Sequence, residues 1–292
     1  MIPAAFEYFA RKNLDEALRL VERHGDEAKL LAGGHSLLPL MKLRLSAPRY
    51  VIDIGRIRAL HGVREEDGRL VIGALTTHHD VESSELVRQR CLLLAEAAAE
   101  IGDVQVRNRG TVGGSLAHAD PAADYPAAML ALEAEIVATS SGGSRAIPAG
   151  EFFVDLLTTQ LRPDEILTEV RVPVAGRRSG GAYRKLHQPA SGFALVGVAA
   201  RVRLGEGEKI ESVAIGMTGV AAHAYRAATA EQALAGKKPG AKLLGEAAGR
   251  VTEGVDTLGD MHGSAGYRRA VATVYARRAL EAAIARAGGK TA

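Results

Sequence analysis

The sequence is poor in the residues that build disulfides and redox-metal sites. Its 292 residues include one cysteine, Cys91. A single thiol cannot close an internal disulfide, and it cannot hold a zinc ion or an iron–sulfur cluster, which need several cysteine or histidine ligands. Any such centre that works with this chain must therefore belong to another chain.

Aromatic residues and excess charge are scarce as well. The chain has no tryptophan and 4% aromatic residues, which argues against stacking platforms for single-stranded nucleic acid. The net charge is +3, and the basic residues are scattered among acidic ones, so we expect no nucleic-acid partner. No apolar run reaches the roughly 18 residues of a membrane span, and no leader pattern opens the chain. We therefore expect no membrane span and a cytoplasmic location.

The composition is otherwise that of a folded globular protein. Hydrophobic residues make up 47% of the chain and charged residues 24%. At about 150 residues per domain, the length allows two or three domains. Local patterns divide the chain into three units, residues 1–56, 57–176 and 177–292.

The first unit is predicted to contain a strand, a glycine loop, a helix and a second strand, in that order. A short amphipathic helix begins after Asn13 and stops at Gly25. The apolar stretch 28–34 predicts a buried strand that ends in glycines, and 48–55 predicts a second strand.

The second and third units mix strands and helices. Asp67-Gly68 predicts a hairpin turn, and helices are expected over 91–101 and after Pro126. The stretch 175–181, rich in glycine and arginine, predicts a linker with the boundary near residue 177. Beyond it we expect an α+β unit, a three-stranded antiparallel sheet covered by two terminal helices.

Two glycine pairs are the most informative local signals. Gly33-Gly34 precedes His35-Ser36, and Gly113-Gly114 precedes Ser115. Consecutive glycines let backbone N–H groups approach phosphate oxygens, so two such loops suit a diphosphate. Each pair alone is also typical of an ordinary turn. If the phosphate interpretation is right, valine at position 33 or 114 should fill space that the ligand needs.

Other polar clusters have a functional and a plainer interpretation. His118, Asp120 and Asp124 suggest a metal or acid–base site, but their spacing also suits a loop whose carboxylates cap turns. His78 and His79 are expected at a strand end, pointing to opposite faces.

Further along the chain, Lys185 is either a solvated edge charge or a cation beside an electron-rich ring. Phe193 is expected to begin the strand after it. The motifs of hydrolases, P-loop NTPases and thiol oxidoreductases are missing from the sequence.

At this point the sequence resembles a known family. The stretches "AGGHSLLPLMKLRL" at 32–45 and "TVGGSLAHADPAAD" at 111–124, with "YRKL" and "FALVGVAA" beyond them, resemble the FAD-binding medium subunit of molybdenum hydroxylases, particularly the carbon monoxide dehydrogenase type. The resemblance implies an α+β protein: a two-lobed FAD-binding domain of the vanillyl-alcohol-oxidase (PCMH) type, followed by the C-terminal domain with its three-stranded sheet and helical layer.

The resemblance also implies a set of cofactor contacts. Noncovalently bound FAD would meet both glycine loops and several residues elsewhere, with Lys185 approaching the flavin ring. Phe193 stands where the family has tyrosine, so ring packing is retained without the hydroxyl. The implied contacts are Lys29, Leu30, Leu31, Ala32, Gly33, Gly34, His35, Ser36, Ile101, Thr111, Gly113, Gly114, Ser115, Asp124, Leu167, Lys185 and Phe193.

Function in such a family is shared between chains. The resemblance implies a large subunit with the molybdenum cofactor and a small subunit with [2Fe-2S] clusters, assembled as a dimer of heterotrimers. This chain would pass electrons from the clusters through FAD to an external acceptor. A self-contained flavin oxidoreductase and a non-catalytic nucleotide-binding assembly subunit are the alternatives.

Overall fold

The protein, seen in a computed structural model that describes residues 2–288, has three consecutive parts. The N-terminal lobe contains strands β1–β3, the second lobe strands β4–β10, and the C-terminal domain everything from β11 onward. The unit boundaries near residues 56 and 176 remain predictions. Residue 1 of the first predicted unit and residues 289–292 of the third lie outside the described residues.

The N-terminal lobe is a small parallel sheet with strand order β1-β3-β2. Asn13 caps its first helix by accepting a hydrogen bond from Asp15 N, and the helix ends at Gly25, whose φ is +49°. The predicted order of strand, glycine loop, helix and strand is confirmed, although β2 is only partly buried. The elements are β1 (Glu7–Ala10), α1 (Leu14–His24), β2 (Ala28–Leu31), α2 (Leu37–Lys42) and β3 (Tyr50–Asp53).

The second lobe is built on an antiparallel five-stranded sheet with order β4-β5-β10-β6-β7. The predicted hairpin is present: Asp67 and Gly68, with φ of +48° and +71°, join β4 to β5. Its elements are β4 (Val63–Glu66), β5 (Arg69–Gly73), α3 (His78–Ser83), α4 (Glu85–Arg90), α5 (Leu92–Ala99), α6 (Val104–Arg107), α7 (Val112–His118), α8 (Asp124–Leu132), β6 (Glu135–Ser140), β7 (Gly143–Pro148), α9 (Ala149–Phe152), β8 (Phe153–Asp155), β9 (Thr158–Thr159) and β10 (Ile166–Pro173).

Two local expectations for this lobe are wrong. His78 and His79 do not end a strand; they begin α3, because Thr77 and Asp80 form a capping box there. The helix expected after Pro126 begins earlier, at Asp124, since proline is tolerated in the first turn of a helix.

Helix α8 is the centre of the molecule. Every one of its residues is buried, and Tyr125 and Met129 are among the largest fully buried side chains. Burying each such side chain contributes roughly 1.5–3 kcal/mol. The sequence of α8 has no polar face because both sides of the helix are covered by protein.

The C-terminal domain has four strands in the order β11-β12-β13-β14, not three. The additional strand has only two residues, too few for a recognisable pattern. Three helices accompany the sheet, and α12 lies along β11 and β12. The elements are β11 (Ser179–His187), β12 (Ala194–Leu204), β13 (Ile210–Thr218), β14 (Tyr225–Arg226), α10 (Ala228–Leu234), α11 (Ala241–Ala248) and α12 (Ala265–Arg286).

The C-terminal sheet also joins the two halves of the chain. One face packs on α12 through Ala182 and its neighbours, and the other packs on α5 and α8 through Tyr183. Helix α8 approaches β13 so closely that a Cβ atom at Gly216 would lie 2.8 Å from the carbonyl carbon of Ala127. The first turn of α8, which carries Asp124, is therefore fixed between the second lobe and the C-terminal sheet. Within residues 2–288, no helix combines the length and apolar character needed to cross a membrane.

Candidate functional site

A cavity of about 990 Å³ opens where the N-terminal lobe, the second lobe and the loop before β12 meet. This is the upper end of the usual range for small-molecule and cofactor sites, about 300–1,000 Å³. Most of the predicted contact residues line it: Lys29, Leu30, Ala32, Gly33, Gly34, His35, Ser36, Ile101, Thr111, Gly113, Gly114, Ser115, Asp124, Leu167 and Phe193. Of the predicted set, Leu31 and Lys185 are not in the lining.

The first glycine loop presents unused backbone donors to this cavity. Among the described residues, the N–H groups of residues 33–36 have no hydrogen-bond acceptor. Gly34 has a φ of +79°, a conformation that glycine adopts without strain. Four consecutive free N–H groups on a cavity wall are suited to anionic oxygens.

Gly33 has a different role from the one expected. A Cβ atom there would meet the backbone of the second loop, 2.8 Å from the carbonyl carbon of Arg109 and 2.9 Å from Gly110 Cα. The glycine is therefore required by the close contact between the two loops, rather than by space for a ligand.

The second glycine loop also differs from expectation, because its amides are already used. Gly113 N donates to Ala74 O at 2.8 Å, and Gly114 N donates to Thr111 Oγ1 at 3.1 Å. A Cβ atom on Gly114 would lie 2.7 Å from that same hydroxyl oxygen. These bonds form the start of α7, which Thr111 caps. This loop supports the cavity wall and faces it with Ser115.

The cavity is lined by cations that could meet an anion. Three lining cations form no ion pair within residues 2–288; they are Lys29, Arg109 and Arg162. Four of the five lining acids are hydrogen-bonded to protein donors; they are Asp103, Asp120, Asp124 and Glu165. Within the described residues, only Glu165 and Asp124 of these acids are paired with a cation, so the three unpaired cations balance the three remaining carboxylates. The sequence did not single out Arg109 and Arg162 as site residues, because no local motif distinguishes them from other solvated arginines.

Asp124 is neither a helix cap nor a freely projecting carboxylate. It is the first residue of α8, and its side chain is 4% exposed. Lys185 Nζ donates to Asp124 Oδ2 at 2.8 Å, and Tyr183 OH donates to Oδ1 at 2.5 Å. Burial raises the pKa of Asp124 to about 6, while both donors act in the opposite direction.

Lys185 is not a solvated edge charge, since its side chain is fully buried. Its ammonium group also donates to Glu100 O at 2.8 Å. It lies behind Asp124 rather than on the cavity wall, so its charge reaches the cavity through that carboxylate. That Lys185 approaches the flavin ring stays a prediction; in this structure its ammonium group is directed to Asp124 and Glu100 O.

Phe193 is at the mouth of the cavity and is 46% exposed. It closes a short loop in which Gln188 N donates to Phe193 O at 2.8 Å and Gly192 N donates to Gln188 O at 2.9 Å. Ser191 and Gly192 line the cavity beside it. The ring is thus held on a compact loop, available to pack against a planar ligand.

His78 is a lining residue that sequence reasoning did not assign to the site. It is 4% exposed, and its Nδ1 has no hydrogen-bond partner within the described chain. Its ring packs edge-on against Tyr125, 5.2 Å away. Burial, followed by the charges of His35 and Arg107, lowers the pKa of His78 to about 4. His78 therefore borders the cavity as a neutral imidazole.

This low pKa predicts acid sensitivity. The unfolded chain binds a proton at His78 near the ordinary histidine pKa of 6.5, whereas the folded chain resists protonation until about pH 4. Stability is thus present above pH 6.5 and is lost as the pH falls toward 4. Between pH 7 and pH 5, His78→Leu should lose about 2 kcal/mol less stability than the unaltered chain in urea unfolding.

The neighbouring histidine supplies the control for this measurement. His79 is exposed, so His79→Leu should keep the pH dependence of the unaltered chain. Equal pH dependence in the two leucine variants would contradict the assignment to His78.

The structure does not bring together the histidine and aspartate side chains that the sequence suggested as metal ligands. Among residues 2–288, no group of three or more histidine, cysteine or acidic side chains is placed to hold a metal ion. Asp120 instead accepts a hydrogen bond from Ala122 N at 2.8 Å. Cys91 is buried, and burial raises the pKa of its thiol to about 11.

The residues present fit FAD. The cavity has the required size, its free N–H groups on residues 33–36 suit a diphosphate, and Phe193 offers a ring to the isoalloxazine. The cations Lys29, Arg109 and Arg162, which form no ion pair in the described chain, are available to the phosphates.

Comparison with known proteins agrees with this fit. Residues 4–175 match the family described as the FAD binding domain in molybdopterin dehydrogenase, and residues 181–283 match the CO dehydrogenase flavoprotein C-terminal domain. The carbon monoxide dehydrogenase medium chain of Hydrogenophaga pseudoflava is 43% identical over 98% of this chain and 99% of its own length. The glyceraldehyde dehydrogenase medium chain of Sulfolobus acidocaldarius is 37% identical over 96% and 99%.

Solved structures agree at the level of the whole fold. Carbon monoxide dehydrogenase from Hydrogenophaga pseudoflava, lacking the Mo-pyranopterin moiety, superposes with a TM-score of 0.94 at 44% identity, covering 98% of this chain and 99% of that chain. Quinoline 2-oxidoreductase from Pseudomonas putida 86 gives 0.91 at 32% identity, covering 98% and 100%. The predicted fold class is confirmed, and the chain belongs to the FAD-binding medium subunits of molybdenum hydroxylases, a family of oxidoreductase subunits that includes the carbon monoxide dehydrogenase medium chain.

Proposed function

We propose that this chain is the electron-transfer flavoprotein of a heteromeric molybdenum hydroxylase. It would accept electrons from [2Fe-2S] clusters on a small partner subunit and pass them to an external acceptor. A large partner subunit would hold the molybdenum cofactor, in a dimer of heterotrimers located in the cytoplasm. The observation that carries the proposal is the row of free N–H groups on residues 33–36, set in a cavity of about 990 Å³.

Noncovalently bound FAD would accept electrons one at a time from the clusters and pass them in pairs to a two-electron acceptor. The chain's own residues bind and orient it. Residues 33–36 would hold the diphosphate with their N–H groups, assisted by the charge of Lys29 and Arg109. Asp124 would present a fixed hydrogen-bond acceptor to the cofactor, and Phe193 would exclude water from one side of the ring. The remaining predicted contacts, including Leu31 at the end of β2, would shape the wall.

The chain's cysteine content supports electron entry from a partner. Cys91 is the single thiol, and it is buried in the core of the second lobe between α4 and α5. A cluster needs several thiolates, so any iron–sulfur cluster that supplies electrons to the flavin would lie on another chain. A self-contained oxidoreductase would instead need its own substrate acid–base pair over the flavin. Asp124 does not supply one alone, since Lys185 and Tyr183 already occupy its oxygens.

The first test is a spectrum of the purified chain. We expect the absorption bands of oxidised flavin, or their appearance after FAD is added to colourless protein. Acid precipitation should release the flavin into the supernatant, because the binding is noncovalent. A chain that stays colourless and does not bind added FAD would contradict both flavin functions and favour the assembly subunit.

The second test separates the two flavin functions. Co-purification with an iron–sulfur chain and a molybdenum chain, followed by bleaching of the flavin when the complex meets its substrate, would support the electron-transfer subunit. Turnover of a substrate by the isolated chain would favour the self-contained oxidoreductase.

A further inference from the structure

The segment before Asp124 is held by the C-terminal sheet, although it belongs to the second lobe. Backbone carbonyl groups of residues 121–123 accept hydrogen bonds from the ends of β12 and β13. Gly219 N donates to Pro121 O at 2.7 Å, and Ala194 N donates to Ala122 O at 3.2 Å. The single hydroxyl hydrogen of Thr218 is shared between Pro121 O and Ala123 O, which lie 2.8 and 2.7 Å from Oγ1. The C-terminal sheet thus positions the backbone that presents Asp124 to the cavity, although this backbone belongs to the second lobe.

The Asp124 side chain is held by the same sheet. Tyr183 and Lys185 are two residues apart on β11, so both side chains point to the face that packs on α8. Gly197 pairs with Lys185 across the ladder, and a Cβ atom there would collide with the Tyr183 hydroxyl. It would also lie 2.6 Å from Thr218 Cγ2. The missing side chain on β12 therefore provides the space in which the tyrosine hydroxyl reaches the carboxylate.

These contacts control a group that faces the cofactor site. Asp124 lines the cavity, and the charged and titratable groups facing it are Lys185, Tyr183 and Glu100. Glu100 is in turn paired with His187, whose Nε2 lies 2.6 Å from Oε2. Lys185 and Tyr183 lower the pKa of Asp124 against the effect of burial, while Glu100 raises it. Removing the tyrosine donor should thus move the titration of Asp124 to higher pH.

We propose that Tyr183 is a positioning residue for the flavin site: its hydroxyl, with Thr218 beneath the same segment, fixes the orientation of Asp124 at the cavity. The C-terminal domain thereby sets the affinity of the cofactor although Tyr183 and Thr218 lie outside the cavity lining. The inference rests on the proposed function, in that FAD is the occupant.

The test compares two tyrosine variants of the full chain. Tyr183→Phe removes the donor to Asp124, whereas Tyr125→Phe removes a hydroxyl that has no partner within residues 2–288 and is equally buried. We expect Tyr183→Phe to weaken FAD binding about tenfold, the effect of one hydrogen bond to a charged group. The midpoint of the pH dependence of FAD affinity should rise by about one pH unit. Tyr125→Phe should change neither.

A second pair guards against a folding defect. Thr218→Val should weaken FAD binding, and Thr218→Ser, which retains the hydroxyl, should restore it, with thermal melting of each variant followed in parallel. Equal affinity and equal pH midpoints in the two tyrosine variants would overturn the inference while leaving the proposed function intact. Failure of the unaltered chain to bind FAD would overturn the proposed function and the inference with it.

Discussion

Gly33→Ala is expected to lower the affinity of the chain for FAD by about 100-fold or more. The added methyl group would collide with the Arg109–Gly110 backbone, so the two glycine loops must move apart. A displacement of about 1 Å at positioned groups can cost on the order of 100-fold. The free N–H groups of residues 33–36 would then lose their position on the cavity wall. Titration of FAD, followed by flavin fluorescence or calorimetry, measures the change.

The matched control is Gly150→Ala. Gly150 lies in α9, where an added Cβ atom meets nothing within 4 Å. This variant should bind FAD like the unaltered chain. Thermal melting separates a site effect from a folding defect, because overpacking at the loop contact costs typically about 1–3 kcal/mol and leaves the C-terminal core intact. Undiminished FAD binding by Gly33→Ala would show that the loop contact does not govern the cavity.

This prediction shows where sequence reasoning about glycine reaches its limit. The pairs at 33–34 and 113–114 indicate that backbone comes close to something, but they do not tell whether that neighbour is a ligand or another loop. At Gly33 the neighbour is the carbonyl of Arg109, 76 positions further along the chain. At Gly114 it is the Thr111 hydroxyl within the same turn. Only the three-dimensional contact distinguishes these cases.

Local signals predicted those parts of the fold that local physics determines. The cap at Asn13 and the turn at Asp67-Gly68 each depend on residues close in sequence, and both are present. The pattern failed where tertiary packing decides. Two-residue β14 has no periodicity and was not predicted, and the helix expected after Pro126 was found but begins earlier, at Asp124.

In the candidate site, too, the features that local motifs contain were predicted, and those that depend on distant residues were not. The glycine loops and Asp124 were found because motifs contain them, and they do line one cavity. The neutral state of His78, the free charge of Arg162 and the burial of Lys185 were not predictable, because each depends on groups that are distant in sequence. Lysine is usually exposed, so only a buried partner such as Asp124 can hold it inside.

Lys185→Met should destabilise the protein by about 3–5 kcal/mol at neutral pH. Methionine fills a similar volume but leaves Asp124 buried without its cation, and an uncompensated buried charge is costly. The Asp124→Asn, Lys185→Met double variant should regain most of the loss, since the amide oxygen introduced at position 124 can still accept the Tyr183 hydrogen bond and no charge remains unpaired. Urea unfolding of the two single variants, the double variant and the unaltered chain gives the coupling energy directly.

The pH dependence of the single variant distinguishes an unpaired charge from a simple packing defect. Without Lys185, the folded-state pKa of Asp124 rises further above its unfolded value of 3.8, so the folded chain takes up a proton that the unfolded chain does not hold. Lys185→Met should therefore recover stability, relative to the unaltered chain, as the pH falls from about 7 to about 5. Lys29→Met, at an exposed lysine with no ion pair within residues 2–288, should stay within about 0.5 kcal/mol at both pH values. A loss in Lys185→Met that does not vary with pH would mean that packing, and not the Asp124 charge, makes Lys185 necessary.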